Sequence, residues 1–282
     1  MRVDSHQHYW KVERGDYHWM TPDVSVLYRD YLPSDLRPSL IKHNIQKTIL
    51  VQAAQTVAET DFLLDLAAKD DRVAGVVGWL DMEDLDFAAQ FERYRSKPRF
   101  IGLRPMLQDL PDDRWILRPN VLSALRVMAA ADFPFDIVTY PRHLPFVLQA
   151  LESVPQLRAV IDHLSKPEIR SGKLEPWRSL ITQLAGYRNL YCKLSGLVTE
   201  ADHEHWSLDD LRPYVEHVIQ CFGFDRVMFG SDWPVCLRAG SYDQVIGALR
   251  EILAARLDEE TEPKLFGRNA ARFYKLDAGA AK

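Results

Sequence analysis

Residues 226–234 read Arg-Val-Met-Phe-Gly-Ser-Asp-Trp-Pro: the apolar run Val227, Met228 and Phe229 gives way at once to Gly230, Ser231 and Asp232. A short apolar run bounded by turn residues reads as a buried strand. Polar residues crowded at its end are expected where a strand opens onto a site. Working outward, the same kind of run recurs along the whole chain. Candidate strands begin near Arg2, Lys47, Val73, Phe100, Phe133, Arg158, Asn189 and Arg226, spaced 25 to 45 residues apart. Between them lie helical patterns such as Thr60 to Lys69, Asn120 to Ala131 and Ser241 to Arg256, with apolar residues three and four apart. Strand and helix alternating eight times predict a parallel sheet closed into a (β/α)8 barrel, an α/β fold, in one domain over residues 1–282. An open doubly wound sheet is the rival, but no Gly-x-Gly-x-x-Gly follows the first strand. The long first unit carries Asp16-Tyr17-His18-Trp19 and Arg29-Asp30-Tyr31-Leu32-Pro33, read as a loop over the barrel mouth.

Composition narrows the function classes. A net charge of −5 with no basic block argues against a nucleic-acid footprint, and the apolar runs fall far short of the roughly 20 residues that cross a bilayer. The opening Met-Arg-Val-Asp-Ser-His lacks the apolar stretch of a signal peptide, which predicts a cytoplasmic protein. Cys192, Cys221 and Cys236 form no paired motif and read as reduced packing thiols. The expected partner is a small molecule, with a homo-oligomer left open.

In a barrel of this kind the C-terminal strand ends face the active site. His6 and His8 lie two apart on the first strand, so both side chains leave one face and can turn onto one ion, with Asp4 on that same face. Asp232 ends the eighth strand; as a helix cap it is poorly placed, since Pro234 follows and the next helical pattern starts near Ser241. His163 ends the sixth strand and shares parity with Ile161, so it faces the site if Ile161 packs the barrel interior, while Asp162 points away. Arg104 and Lys193 are strand-end cations, able to orient a substrate or to neutralise Asp232 and Asp136. A second His-x-His, His203-Glu204-His205, sits in a charged segment with no strand pattern and reads as solvated loop. His18, His43, His143 and His217 have no partner legible in the sequence.

These residues, with Gly102-Leu103-Arg104-Pro105, Asp162-His163-Leu164-Ser165-Lys166-Pro167, Cys192-Lys193-Leu194-Ser195-Gly196-Leu197 and Gly267-Arg268-Asn269-Ala270-Ala271-Arg272, resemble the lactonase branch of the amidohydrolase superfamily. The match runs in order from residue 1 to about 276. Through the stretch Cys192 to Asp202 and the Trp233-Pro234-Val235-Cys236 ending it is most similar to the sugar lactonases that open L-fuconolactone. The resemblance implies a distorted barrel that hydrolyses a lactone. It places His6, His8, His163 and Asp232 on the superfamily's first-strand pair, sixth-strand histidine and eighth-strand aspartate. Arg104 stands where other members carry a bridging carboxylated lysine, and Thr139-Tyr140 where they carry a fifth-strand histidine. The resemblance therefore implies at most one divalent ion, zinc foremost, held by His6, His8, His163 and Asp232, with metal-free catalysis as the other route.

The expected reaction is hydrolysis of an aldonolactone, such as the L-fucono, L-rhamnono or L-galactono form, to the aldonic acid. Asp232 would take a proton from water and return it to the leaving oxygen, while the histidines polarise the carbonyl. Arg104, Lys193, Trp10, Tyr140 and Trp233 would bind the sugar, with Trp19, Tyr9 and Tyr17 as further aromatics at the mouth. Alternatives on the same fold are hydrolysis of an acidic lactone of the pyrone dicarboxylate or muconolactone type and metal-dependent decarboxylation. The non-enzymatic alternative is a barrel that binds a sugar acid. A neutral lactone is favoured because Arg104 is the sole arginine among the strand ends, with Arg142 and Arg238 placed farther out on loops.

Overall fold

The computed structural model describes residues 1–276; residues 277–282 of the expected domain lie outside the described residues. Eight strands follow the expected order: β1 (Val3–Gln7), β2 (Lys47–Val51), β3 (Val73–Gly78), β4 (Phe100–Leu103), β5 (Phe135–Ile137), β6 (Ala159–Ile161), β7 (Leu190–Leu194) and β8 (Val227–Phe229). All neighbours pair in parallel, in the order β1 to β8. Between β8 and β1 the closure rests on the extensions of both strands: His8 N donates to Trp233 O (2.7 Å), Asp232 N to His6 O (2.8 Å) and Ser5 Oγ to Phe229 O (2.6 Å). β5 starts two residues after the expected Phe133 because Pro134 has no N–H to give the ladder.

Helices α1 (Pro33–Lys42), α2 (Val57–Lys69), α3 (Phe87–Arg95), α4 (Pro119–Ala130), α5 (Leu144–Ser153), α6 (Trp177–Leu184), α7 (Leu197–Glu200), α8 (Leu208–Phe222), α9 (Tyr242–Ile252), α10 (Thr261–Pro263) and α11 (Asn269–Tyr274) accompany the strands. Their starts follow local chemistry. Thr56 Oγ1 accepts from Glu59 N at the head of α2, and Ser241 exchanges bonds with Gln244 at the head of α9, each satisfying amides that the helix leaves unpaired. Among the described residues no helix is long and apolar enough to cross a membrane.

Two apolar clusters divide the molecule. The larger fills the layer between sheet and helices and includes Ile161; the smaller, inside the barrel, joins Val3, Ile49, Val51, Val77, Val160 and Met228 to Ala270, Phe273 and Tyr274 of α11. The last helix thus plugs the N-terminal end of the barrel with aromatic side chains. Above this apolar layer the interior turns polar, with Asp136, Asp162, Lys193 and His6 all buried. The interior residue of β6 is therefore Val160, not Ile161, and alternation carries Asp162 inward with it.

Candidate active site

The C-terminal mouth of the barrel holds a cavity of about 250 Å³ with His8, Arg104, His163 and Asp232 in its wall. Each arrives by a local departure from regular strand geometry. In β1 the register slips between Asp4 and Gln7, so three residues there span what two span on β2. That bulge breaks the simple alternation. It sends Asp4 away from the site, where its carboxylate accepts from Ser231 N (2.9 Å) and Tyr242 Oη (3.1 Å); the expectation that Asp4 shares the face of His6 and His8 is corrected accordingly.

Beyond β6 the chain enters four consecutive left-handed residues, His163, Leu164, Ser165 and Lys166, with φ of 53°, 53°, 60° and 48°. Side chains with a Cβ resist this region at about 1–3 kcal/mol each, so the turn needs bracing. Trp177 Nε1 donates to Leu164 O (2.6 Å) and Ser165 Oγ bonds Thr139 Oγ1 (2.6 Å). The turn brings His163 to the site although Asp162, its neighbour, already faces the interior. Asp162 pointing outward was expected on the premise that Ile161 packs the barrel interior; the structure corrects this, since Val160 is the interior residue and Asp162 shares its parity, while the turn carries His163 round to the site. Asp232 is itself left-handed, at φ 56°.

The imidazoles ring one carboxylate. Asp232 Oδ1 lies 3.3 Å from His8 Nε2, 3.8 Å from His6 Nε2 and 3.8 Å from His163 Nε2. His8 Nδ1 is 2.8 Å from Val51 O and His163 Nδ1 is 2.8 Å from Ser195 Oγ. Gly196, at φ 65°, leaves room for His163, since a Cβ there would fall 2.6 Å from Nδ1. Burial alone would raise the Asp232 carboxyl, but the imidazoles of His163, His8 and His6 hold it below the usual carboxylate range. Burial lowers His163 to about 4.

Beneath lies a closed network of charge. Lys193 Nζ lies 2.5 Å from Asp136 Oδ2, 3.0 Å from Asp162 Oδ1 and 3.2 Å from His6 Nδ1. Arg104 reaches Asp162 Oδ2 (3.2 Å) and the carbonyl of Gln52, and Tyr274 Oη donates to Asp136 Oδ2 (2.7 Å). Burial raises Asp136 to about 6, whereas Lys193, His6 and Arg104 overcome burial to keep Asp162 ionised. Burial, with help from Lys193 and His163, keeps His6 neutral.

The residues present fit one metal ion. Ligand atoms on a tetrahedral zinc sit about 3.3 Å apart, close to the His8–Asp232 separation, and His6, His8 and Asp232 offer mutually close donor atoms. The carbonyl of Val51 accepts only, so in the neutral ring His8 carries its proton on Nδ1 and turns the Nε2 lone pair toward an acceptor oxygen of Asp232. Two acceptors at that distance call for a proton or a cation between them.

Of the residues expected to bind substrate, Arg104 and Tyr140 line the cavity, as does Trp19, whose Nε1 donates to Ala53 O (2.7 Å). Lys193 has no solvent exposure and is consumed by its two aspartates. Trp10 and Trp233 lie outside the lining among the described residues. They are buried against Tyr31, with ring centroids 5.6 Å and 5.0 Å from it, and so pack the first-unit loop onto the barrel. Tyr9 and Tyr17 are buried as well. Arg238, expected farther out, stands in the cavity wall with Lys166 and Gln108, which the sequence did not single out. For Lys166 a signal existed, since the turn motif containing it was already conspicuous; for Gln108 there was none.

His205 in the second His-x-His is exposed and pairs with nearby Asp202, as a solvated loop would. His43 meets Asp243 (2.5 Å), His143 meets Asp113 (3.0 Å) and His217 meets the carbonyl of Arg178 (2.9 Å), partners too distant in sequence to read.

A parallel barrel with a histidine pair on its first strand, a histidine after the sixth and an aspartate after the eighth defines an amidohydrolase, and the sequence profile of that family matches residues 3–276: the chain belongs to it. It is 41% identical over 279 residues to L-fucono-1,5-lactonase of Burkholderia ambifaria, covering 98% of this chain and 96% of that one. It is 36% identical over 289 residues to L-fucono-1,5-lactonase of Burkholderia multivorans, with the same two coverages. A crystal structure of an amidohydrolase from Burkholderia multivorans with bound zinc superposes with a TM-score of 0.93 at 35% identity, covering 98% of this chain and 99% of that one.

Proposed function

We propose that this protein hydrolyses a neutral sugar lactone, an aldonolactone of the L-fucono type, to the aldonic acid. The observation that carries the reading is the buried Asp232 carboxylate ringed by His6, His8 and His163 in the wall of a cavity of monosaccharide size. Kinship with two L-fucono-1,5-lactonases supports the substrate class.

Water attacks the lactone carbonyl carbon while Asp232 accepts its proton. The carbonyl oxygen becomes an oxyanion facing the imidazoles and Arg104, whose Nε has no protein partner among the described residues. The C–O bond to the ring oxygen then breaks, and that oxygen receives the proton held by Asp232. The product is one open chain with a carboxyl and a new hydroxyl. His6, His8 and Asp232 would hold one divalent ion, zinc by its nitrogen and oxygen donors, with His163 Nε2 3.8 Å from Asp232 beside them, and a bound ion would supply Lewis-acid polarisation of the carbonyl. Three unpaired thiols, Cys192 and Cys236 buried and Cys221 half-buried, support a reducing, cytoplasmic setting.

The test is Asp232→Asn assayed by proton release from L-fucono-1,5-lactone in weak buffer. A folded variant with kcat lowered about 10²-fold or more is expected; near wild-type turnover would remove Asp232 from the reaction.

A further inference from the structure

One wall of the cavity has no part in the chemistry above, and its composition is informative. Lys166 enters it at the end of the left-handed turn, with only 17% of its side chain exposed. Its Nζ stands 3.9 Å from Glu200 Oε1 and 5.3 Å from the centre of the Tyr140 ring, too far from either for a direct hydrogen bond. Glu200 ends α7 and is largely withdrawn from water; burial raises its carboxyl, against the pull of Lys166 and Arg238. Gln108 lines the same cavity, and its Oε1 is buried with no partner among the described residues.

Among the described residues Lys166 thus offers N–H donors with no protein acceptor in direct reach, and Gln108 an acceptor with no donor of its own. A carboxylate or phosphate brings acceptors only; it would suit Lys166 but leave Gln108 facing another oxygen, with Glu200 repelling it. A hydroxyl both donates and accepts. The braced turn holds Lys166 in place at a cost in backbone strain, which a merely solvated lysine would not require.

We propose that Lys166, held by Glu200, is a specificity-determining donor that reads a ring hydroxyl of the lactone, with Gln108 Oε1 as an acceptor in the same cavity. The proposal rests on the lactonase reading and deepens it: it explains selection of a polyhydroxylated neutral lactone over an acidic one, even though more cations line the cavity than the sequence suggested.

The test compares wild type, Lys166→Met and Glu200→Gln on L-fucono-1,5-lactone and on its monodeoxy analogues. On the full lactone, Lys166→Met should lower kcat/KM about 10- to 100-fold, the effect of one charge-assisted hydrogen bond. Glu200→Gln should lower it less. On the analogue lacking the recognised hydroxyl, wild type should fall to the level of Lys166→Met and the two should coincide. Gln108→Leu, assayed beside them, should likewise lose several-fold on the full lactone. Equal loss on every analogue would make Lys166 structural, and no loss on the full lactone would make it idle; either overturns the proposal. Wild-type turnover of the full lactone bears on the lactonase reading alone, and a wild-type protein inert to aldonolactones overturns both.

Discussion

Lys193→Met removes the ammonium at the centre of the charge network beneath the site. Asp162 keeps Arg104, but Asp136 is left with the Tyr274 hydroxyl alone, at zero exposure. A carboxylate so stranded takes up a proton. Relative to the wild type, whose Asp136 is already raised to about 6, keeping that carboxyl protonated at pH 7 costs about 1.4 kcal/mol, at about 1.4 kcal/mol per pH unit. Asp162 loses the same ammonium, and the total expected is the roughly 3–5 kcal/mol typical of breaking a buried pair from one side. For a chain of 282 residues that corresponds to a fall in Tm of about 5–8 °C. The loss also depends on pH. In the wild type Asp136 is raised to about 6, so between pH 6 and 8 the native variant holds a proton that the native wild type has released. The variant's deficit should therefore narrow by about 1.4 kcal/mol per unit as pH falls from 8 to 6, and stay level below 6. Urea unfolding followed by tryptophan fluorescence reads this as a shift in midpoint at constant slope. Adding Asp136→Asn should recover much of the loss by removing the stranded charge. Unchanged stability in Lys193→Met, or a deficit that ignores pH, would refute the reasoning and return Lys193 to the substrate.

Two further outcomes are expected. Gly196→Ala places a methyl on the His163 ring at a left-handed position, so it should lower stability by about 1–2 kcal/mol and cut kcat several-fold; wild-type kinetics would show that His163 need not hold its place. Glu59 is raised to about 7 by burial although Ala53 N and Ala54 N donate to it, so the native state binds more protons than the unfolded state between pH 4.5 and 7. Wild-type stability measured against Glu59→Gln should therefore fall by about 3 kcal/mol as pH rises through that window, and a difference independent of pH would contradict the burial.

The barrel was legible because each strand is a compact apolar run and turn residues punctuate the chain at the pitch of a strand and helix. Strand starts at Lys47, Val73 and Phe100 match those expected, and the others shift by one or two residues. The gathering of His6, His8, His163 and Asp232 in one place was legible because they stand where apolar strands turn polar. What alternation could not supply was the β1 bulge and the left-handed turn at His163, since neither leaves a mark in hydrophobic periodicity. The orientation of Asp4 was misjudged for that reason, and that of Asp162 because the three apolar residues of β6 do not reveal which of them faces the interior. Lys193, Trp10 and Trp233 looked like binding residues because they are polar or aromatic at strand ends. Their burial depends on partners such as Asp136 and Tyr31, supplied from distant parts of the chain.

One comparison tests the sugar-lactone function most directly: kcat/KM for L-fucono-1,5-lactone against that for a pyrone dicarboxylate, read by proton release from wild-type protein. The cavity, which among the described residues joins unpaired donors to an unpaired acceptor, and the kinship with L-fucono-1,5-lactonases lead to a preference for the aldonolactone by orders of magnitude. The reverse ranking would contradict the sugar-lactone function while leaving the fold intact.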